Sequence, residues 1–381
     1  MKWSSLMKIL IFSASTGGGH KRAAAALEEK IKALSPNVKV DVVDGLRSLG
    51  KIYDKTVCKG YYILATKTPK VYGTFYKITD KDNGMYRAVM RSNSMMAAKL
   101  LETIDKYKPD VIIMCHPFIS AMVSRLKSEG KINIKAISLI TDYDSHRTYI
   151  SPNIDAYVLA EPQMARKLHE EYGVEEEKIF PLGIPTFDKF TIPGKKEEIC
   201  AREGLDPGKT TILLMAGSFG VTGVMRFYEQ LAVADADLQL IVITGKNEKL
   251  YEKLKKHIAE LGTGDKTKLL FFVDNVEDYM HVSDLIVTKP GGLTVTESLA
   301  CHLPMAIYSA FPGQELDNVK FLISQNAAIF IDKDLGAQQI LSLLNSPRTL
   351  EEMKENCKRL SHPHAAEDIY KLASELTKTG N

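Results

Sequence analysis

Short apolar runs alternate with longer amphipathic stretches along nearly the whole chain, and the alternation occurs twice. In the first half, β-rich runs at 8–13, 38–44, 111–115, 135–141 and 156–160 are separated by stretches of helical spacing such as 21–34 and 162–172. The second half repeats this at 211–215, 239–244, 268–273, 285–288, 305–309 and 328–331. Strands that are apolar throughout, rather than on alternate residues, are covered on both faces, and the helices between them supply the crossovers of parallel sheets. The pattern predicts an α/β chain of two Rossmann-like, doubly wound domains. A Pro- and Gly-containing stretch, 184–194, is the expected link. The domains are then 1–188 and 195–360, with a closing helix in 361–381 that packs back on the first. Ligands of open α/β sheets bind beyond the carboxyl ends of the strands, so two such domains facing each other would share a cleft.

Glycine clusters fall at three of those strand ends. They are Ser13-Ala14-Ser15-Thr16-Gly17-Gly18-Gly19-His20, then Met215-Ala216-Gly217-Ser218-Phe219-Gly220, and Thr288-Lys289-Pro290-Gly291-Gly292-Leu293-Thr294. In the third, an apolar strand stops at a Pro-Gly-Gly turn and a helix is expected to open at Thr294. Glycines let backbone N–H groups turn inward, and the unpaired amides at a helix N-terminus attract a diphosphate. Glu297, one turn into that helix, can accept hydrogen bonds from ribose hydroxyls, so the arrangement suits a nucleoside diphosphate. A nicotinamide-type loop fits less well, because Gly17-Gly18-Gly19-His20-Lys21-Arg22 lacks the third glycine of G-x-G-x-x-G. His20 ends its loop with an ionisable ring whose unperturbed pKa lies near neutrality, which makes it the leading candidate base.

Composition narrows the function without naming it. The chain has 381 residues, 45% hydrophobic and 25% charged, with a net charge of +3 that is too small to propose nucleic acid as a partner. Five scattered cysteines form no C-x-x-C pair, so neither a zinc site nor a disulfide framework is expected. The apolar run 9–12 is too short for a signal-peptide core, and nothing approaches the ~18 apolar residues of a spanning helix. A cytosolic protein is expected, with any membrane contact peripheral. The charge is uneven, however: residues 46–100 carry eleven Lys/Arg against three Asp/Glu, a local balance of +8.

Taken together, Ser13 to His20, Thr141-Asp142 with His146, Gly183-Ile184-Pro185, Met215 to Gly223, Gly245-Lys246-Asn247, Phe272-Val273-Asp274-Asn275, Thr288 to Glu297 and Pro312-Gly313-Gln314-Glu315 with Asn318 resemble one family over nearly the whole chain. It comprises the bacterial processive diacylglycerol glucosyltransferases and the plant monogalactosyldiacylglycerol synthases, GT-B enzymes of glycosyltransferase family 28 related to the MurG-type transferases. The resemblance implies that the C-terminal domain binds UDP-glucose or UDP-galactose and the N-terminal domain receives diacylglycerol. Uracil would lie against Phe272 and Val273 and the ribose on Glu297. The diphosphate would meet Gly217, Ser218, Phe219, Gly220, Lys289, Pro290, Gly291, Gly292 and Thr294. Gln314, Glu315 and Asn318 would read sugar hydroxyls. His20 is implied as the base, with Asp142 and His146 as second candidates for base, orienter or acceptor contact.

Asp142-Tyr143-Asp144 has the D-x-D form of metal-dependent transferases, but the glycine loops and helix terminus already supply a positive field, so no essential metal and no cofactor are expected. Displacement on an α-linked sugar nucleotide without a covalent intermediate would yield a β-glycoside. The basic insert interleaves Lys67, Lys70 and Lys77 with Tyr72, Phe75 and Tyr76. Such a stretch suits an anionic membrane surface at the cytosolic face of the cell membrane. The competing readings are a transferase for another lipid-linked acceptor, such as a peptidoglycan precursor, and a UDP-sugar sensor without turnover.

Overall fold

Two all-parallel sheets organise the chain. The first contains β1 (Lys8–Ser13), β2 (Lys39–Asp44), β3 (Val111–Met114), β4 (Lys135–Leu139), β5 (Ala156–Val158) and β6 (Ile179–Phe180), in the order β2-β1-β3-β4-β5-β6. The second contains β7 (Thr210–Met215), β8 (Leu238–Ile243), β9 (Thr267–Leu270), β10 (Leu285–Thr288), β11 (Met305–Ile307) and β12 (Ala328–Phe330), in the order β12-β11-β10-β7-β8-β9. The computed structural model describes residues 7–15, 18–50, 60, 63–64, 67–216 and 223–378. Eleven of these strands overlap the apolar runs. The exception is β6, two residues flanked by Glu175, Glu176, Glu177 and Lys178, too short to leave a pattern.

Each sheet has one place where the strand order reverses: between β1 and β3 in the first, and between β7 and β10 in the second. Loops leaving neighbouring strands at such a point diverge to opposite faces and open a crevice. The loop ending at His20 and the one carrying His116 border the first. The Pro290-Gly291-Gly292 turn borders the second; Gly217, Ser218, Phe219 and Gly220, which follow β7 in the chain, lie outside the described residues.

The chain divides into two compact units, Met1–Phe187 with Phe311–Gln314 and His362–Asn381, and Asp188–Ala310 with Glu315–Ser361. In the first unit Ile9, Ile11, Leu27, Ile31, Val111, Ile113, Ile137 and Val158 form a core that also takes in Ile369 and Ala373. The latter belong to the terminal helix Ala365–Lys378, where the Tyr370 hydroxyl donates to Ser35 Oγ at 2.8 Å. The second core gathers Ile212, Leu214, Tyr228, Leu240, Val287 and Ile340.

One stretch departs from the expected boundaries. Residues 311–314, expected inside the 195–360 domain, pack on the helix Pro69–Thr79 of the first unit. A Cβ at Gly73 would meet Pro312 Cβ at 2.6 Å, and Gly313, at φ 102°, sits against the rings of Tyr72 and Tyr76. Only glycine permits both the approach and the left-handed turn.

Candidate active site

His20 lies in the first turn of the helix Gly19–Leu34, directly after the β1 loop. Two neighbouring strand ends orient its ring. The Cys115 carbonyl after β3 accepts a hydrogen bond from it, and the Thr141 hydroxyl after β4 lies 3.1 Å from Nδ1. Burial disfavours the imidazolium and brings the pKa from 6.5 down to about 4. His20 is therefore neutral, and able to accept a proton, throughout the neutral range. Asp142, one residue beyond Thr141, lines the same cavity, and its charge helps hold the buried Tyr149 hydroxyl protonated, second to burial itself.

The cavity has a volume of about 460 Å³ and belongs wholly to the first unit. Its wall is mostly hydrocarbon and aromatic, with His20, Asp142 and His116 among its polar groups. Tyr72, Phe75, Tyr76 and Thr79 line it from the helix Pro69–Thr79. On that helix Val71, Phe75 and Ile78 are 58%, 40% and 43% exposed, an apolar stripe at i, i+4, i+7 that begins at the cavity rim with Phe75 and reaches solvent. Leu64, Met85 and the exposed cations Lys67, Lys70 and Lys77 extend this surface.

His146 lines the same cavity, and both of its ring nitrogens are engaged. Its Nδ1 accepts the Thr148 N–H at 3.2 Å and lies 2.8 Å from the Thr148 hydroxyl, while Nε2 is 2.8 Å from the Tyr76 carbonyl. These contacts tie the Asp142 loop to the cavity helix. Asp80, at the end of that helix, reinforces the clamp. It accepts from the Arg147 N–H at 2.9 Å and the Tyr172 hydroxyl at 2.6 Å, and lies 3.4 Å from Lys167 Nζ. Lys167 also pairs with Asp144 at 3.0 Å, so the second carboxylate of the D-x-D sequence is neutralised internally.

In the second unit the helix after β10 is Gly292–Ala300, opening two residues before Thr294 with Gly291 as its N-cap. Among the described residues no side chain caps it, and a Cβ at Gly291 would meet nothing within 4 Å. Glu297 is 2% exposed. Lys289 is also buried, and pairs with Glu315 at 3.1 Å; burial lowers the pKa of its ammonium while Glu315 opposes the shift. Asn318, expected against sugar hydroxyls, is fully covered and donates to the Pro290 carbonyl at 2.9 Å, bracing the Pro-Gly-Gly turn. Gln314 lies in the first unit, where Tyr72 donates to its Oε1 at 2.8 Å. Phe272 is half exposed with Lys246 Nζ 4.6 Å from its ring centre, a flat, cation-flanked shelf beside partly buried Val273.

Sequence reasoning passed over Asp80, Lys167, Tyr172 and His116. The first three meet in contacts across 67 to 92 positions, for which the chain carries no local sign. His116 had one: a His-Pro pair at the end of an apolar strand, the form of an N-cap followed by proline at N1.

A family model described as monogalactosyldiacylglycerol (MGDG) synthase matches residues 20–186, and one described as glycosyltransferase family 28 C-terminal domain matches residues 211–369. A processive diacylglycerol β-glucosyltransferase of Bacillus pumilus is 31% identical over 95% of this chain and 93% of its own, and one of Bacillus subtilis is 30% identical over 97% and 96%. Among solved structures, MurG of Acinetobacter baumannii aligns with a TM-score of 0.64 at 15% identity, covering 97% of this chain and 99% of that one. An S. aureus MnaA–UDP structure aligns at 0.65 and 16%, covering 96% and 95%. The fold is GT-B, and the chain belongs to the processive diacylglycerol β-glucosyltransferase family, UDP-sugar-dependent transferases of glycosyltransferase family 28.

Proposed function

We propose that this protein transfers glucose from UDP-glucose to the free hydroxyl of diacylglycerol with inversion, forming a β-glucoside. The observation that carries this reading is the largely apolar cavity with a neutral histidine on its wall. An apolar cavity suits the glyceride, and His20 suits its hydroxyl. His20 takes the hydroxyl proton as the oxygen attacks the anomeric carbon; the bond from that carbon to the diphosphate oxygen breaks, and UDP departs. The N-terminal amides of the helix Gly292–Ala300 stabilise the charge that develops on the diphosphate. Phe272 and Val273 offer the nucleobase a surface, and Glu297 takes the ribose hydroxyls. No divalent ion is required, since Asp144 is held by Lys167.

The acceptor reaches the cavity from a membrane. The stripe Val71, Phe75, Ile78 with its flanking lysines supports docking at an anionic bilayer on the cytosolic side. Among the described residues no helix is long and apolar enough to cross a membrane. Mass analysis of lipids formed when UDP-glucose and UDP-galactose compete for diacylglycerol tests the proposal. Monoglucosyl product is expected; galactosyl product would reassign the donor, and UDP release only with a different lipid-linked acceptor would reassign the substrate. UDP-sugar binding without turnover on any lipid would leave a sensor.

A further inference from the structure

His116 borders the same crevice as His20, yet the reaction as described gives it no part. It follows β3 as His20 follows β1, and those strands flank the reversal of the first sheet. The two rings stand edge to face, 5.1 Å between centres and 77° between planes. His116 Nδ1 accepts the Phe118 backbone N–H at 3.2 Å, capping the helix Pro117–Ser128. A ring nitrogen that accepts an N–H carries no proton, so in the neutral imidazole the proton sits on Nε2. The neutral form prevails, because burial, and then the neighbouring His20, hold the ring well below the usual histidine range. His116 is 6% exposed and lines the cavity, and among the described residues nothing hydrogen-bonds its Nε2. A buried N–H turned to a cavity is a donor suited to a ligand oxygen.

Building on the proposed function, we propose that His116 is an acceptor-binding residue whose Nε2–H donates to the ester carbonyl oxygen on the glycerol carbon next to the attacked hydroxyl. The alternative target, the hydroxyl oxygen itself, is disfavoured because a donor there would draw electron density from the attacking atom and lower its nucleophilicity. A carbonyl oxygen only accepts, as Nε2–H only donates. The neighbouring wall from Phe75, Val89 and Phe118 suits a carbonyl flanked by hydrocarbon. The contact would select an ester-linked glyceride and fix its hydroxyl beside His20.

The test compares kcat/KM for diacylglycerol and for the dialkylglycerol ether of equal chain length, in the same mixed micelles with UDP-glucose. His116→Asn keeps a capping oxygen for Phe118 but loses the ring N–H. Wild type should prefer the ester by roughly 10- to 100-fold, the effect of one hydrogen bond to a buried donor. In His116→Asn the preference should shrink towards unity, through loss on the ester alone. His116→Gln, which extends an amide N–H into the cavity, should recover part of it and serves if the Asn variant does not fold, as judged by UDP binding. Equal use of ester and ether by wild type, or an unchanged preference in both variants, overturns the assignment. Wild-type enzyme that binds UDP but glucosylates neither lipid would instead refute the functional reading on which it rests.

Discussion

His20 Nδ1 and the Thr141 hydroxyl, 121 positions apart in the chain, lie 3.1 Å apart beside the cavity of the first unit. The contact joins the loop after β1 to the residue that precedes Asp142, so the proposed base and the neighbouring carboxylate are aligned by one bond. Replacing His20 by Ala should lower kcat by ~10²-fold or more while UDP affinity stays near wild type, as general-base loss requires. Turnover at the wild-type rate would exclude His20 as the base.

The pH dependence follows from the burial of the same ring. Because its pKa is lowered to about 4, the acid limb of kcat/KM should fall near that value rather than at the ordinary 6.5. Stability carries the same sign: the unfolded chain takes up a proton below 6.5 that the folded ring refuses. The contribution is thus complete above 6.5 and lost as pH falls towards about 4. A rate profile on a soluble short-chain acceptor would reveal an acid limb at 6.5 if the ring were not held neutral.

Asp80 gathers Arg147, Tyr172 and Lys167 at the end of the cavity helix. Asp80→Asn keeps the shape but removes the charge, and should cost about 1–3 kcal/mol in urea unfolding. It should also raise KM for the acceptor while leaving UDP affinity unchanged. An acceptor KM equal to wild type would confine Asp80 to stability.

Glu297→Ala should weaken UDP and donor binding together, since a ribose contact exists in ground and transition states alike. Calorimetry returning wild-type affinity for UDP would remove the ribose from Glu297.

Turnover should survive exhaustive chelation. Loss of activity that Mg²⁺ or Mn²⁺ restores would make Asp142 and Asp144 credible metal ligands and would require the Lys167 pair to open.

Vesicle binding should rise with anionic lipid and weaken with salt, because the +8 balance of residues 46–100 acts through a screened surface potential. Changing Lys67, Lys70 and Lys77 to Glu, a shift of six charges, should depress activity on membrane-held diacylglycerol but spare a short-chain soluble analogue. Equal losses on both, with the fold intact, would assign the segment to acceptor binding or catalysis instead of docking.

The repeated apolar runs were sufficient by themselves for two parallel sheets, because a strand covered on both faces must be apolar at every position and that pattern is local. Glycines at strand ends marked turns suited to a ligand's phosphates, and His20 drew notice by ending one of them. What the one-dimensional pattern lacks is the partner. Strand order, which alone places His116 beside His20, depends on crossovers that connect β1 and β3 past the insert between them. The same holds for His146: its residue type suggests acid–base or orienting work, and only packing shows that its two nitrogens reach Thr148 and Tyr76. Gln314 and Glu315, adjacent in the chain, part company because Gly73 and Gly313 let residues 311–314 settle on the cavity helix, whereas Glu315 answers the buried charge of Lys289. Local patterning is enough where one residue's own solvation decides, and tertiary structure where a polar group must find its counterpart.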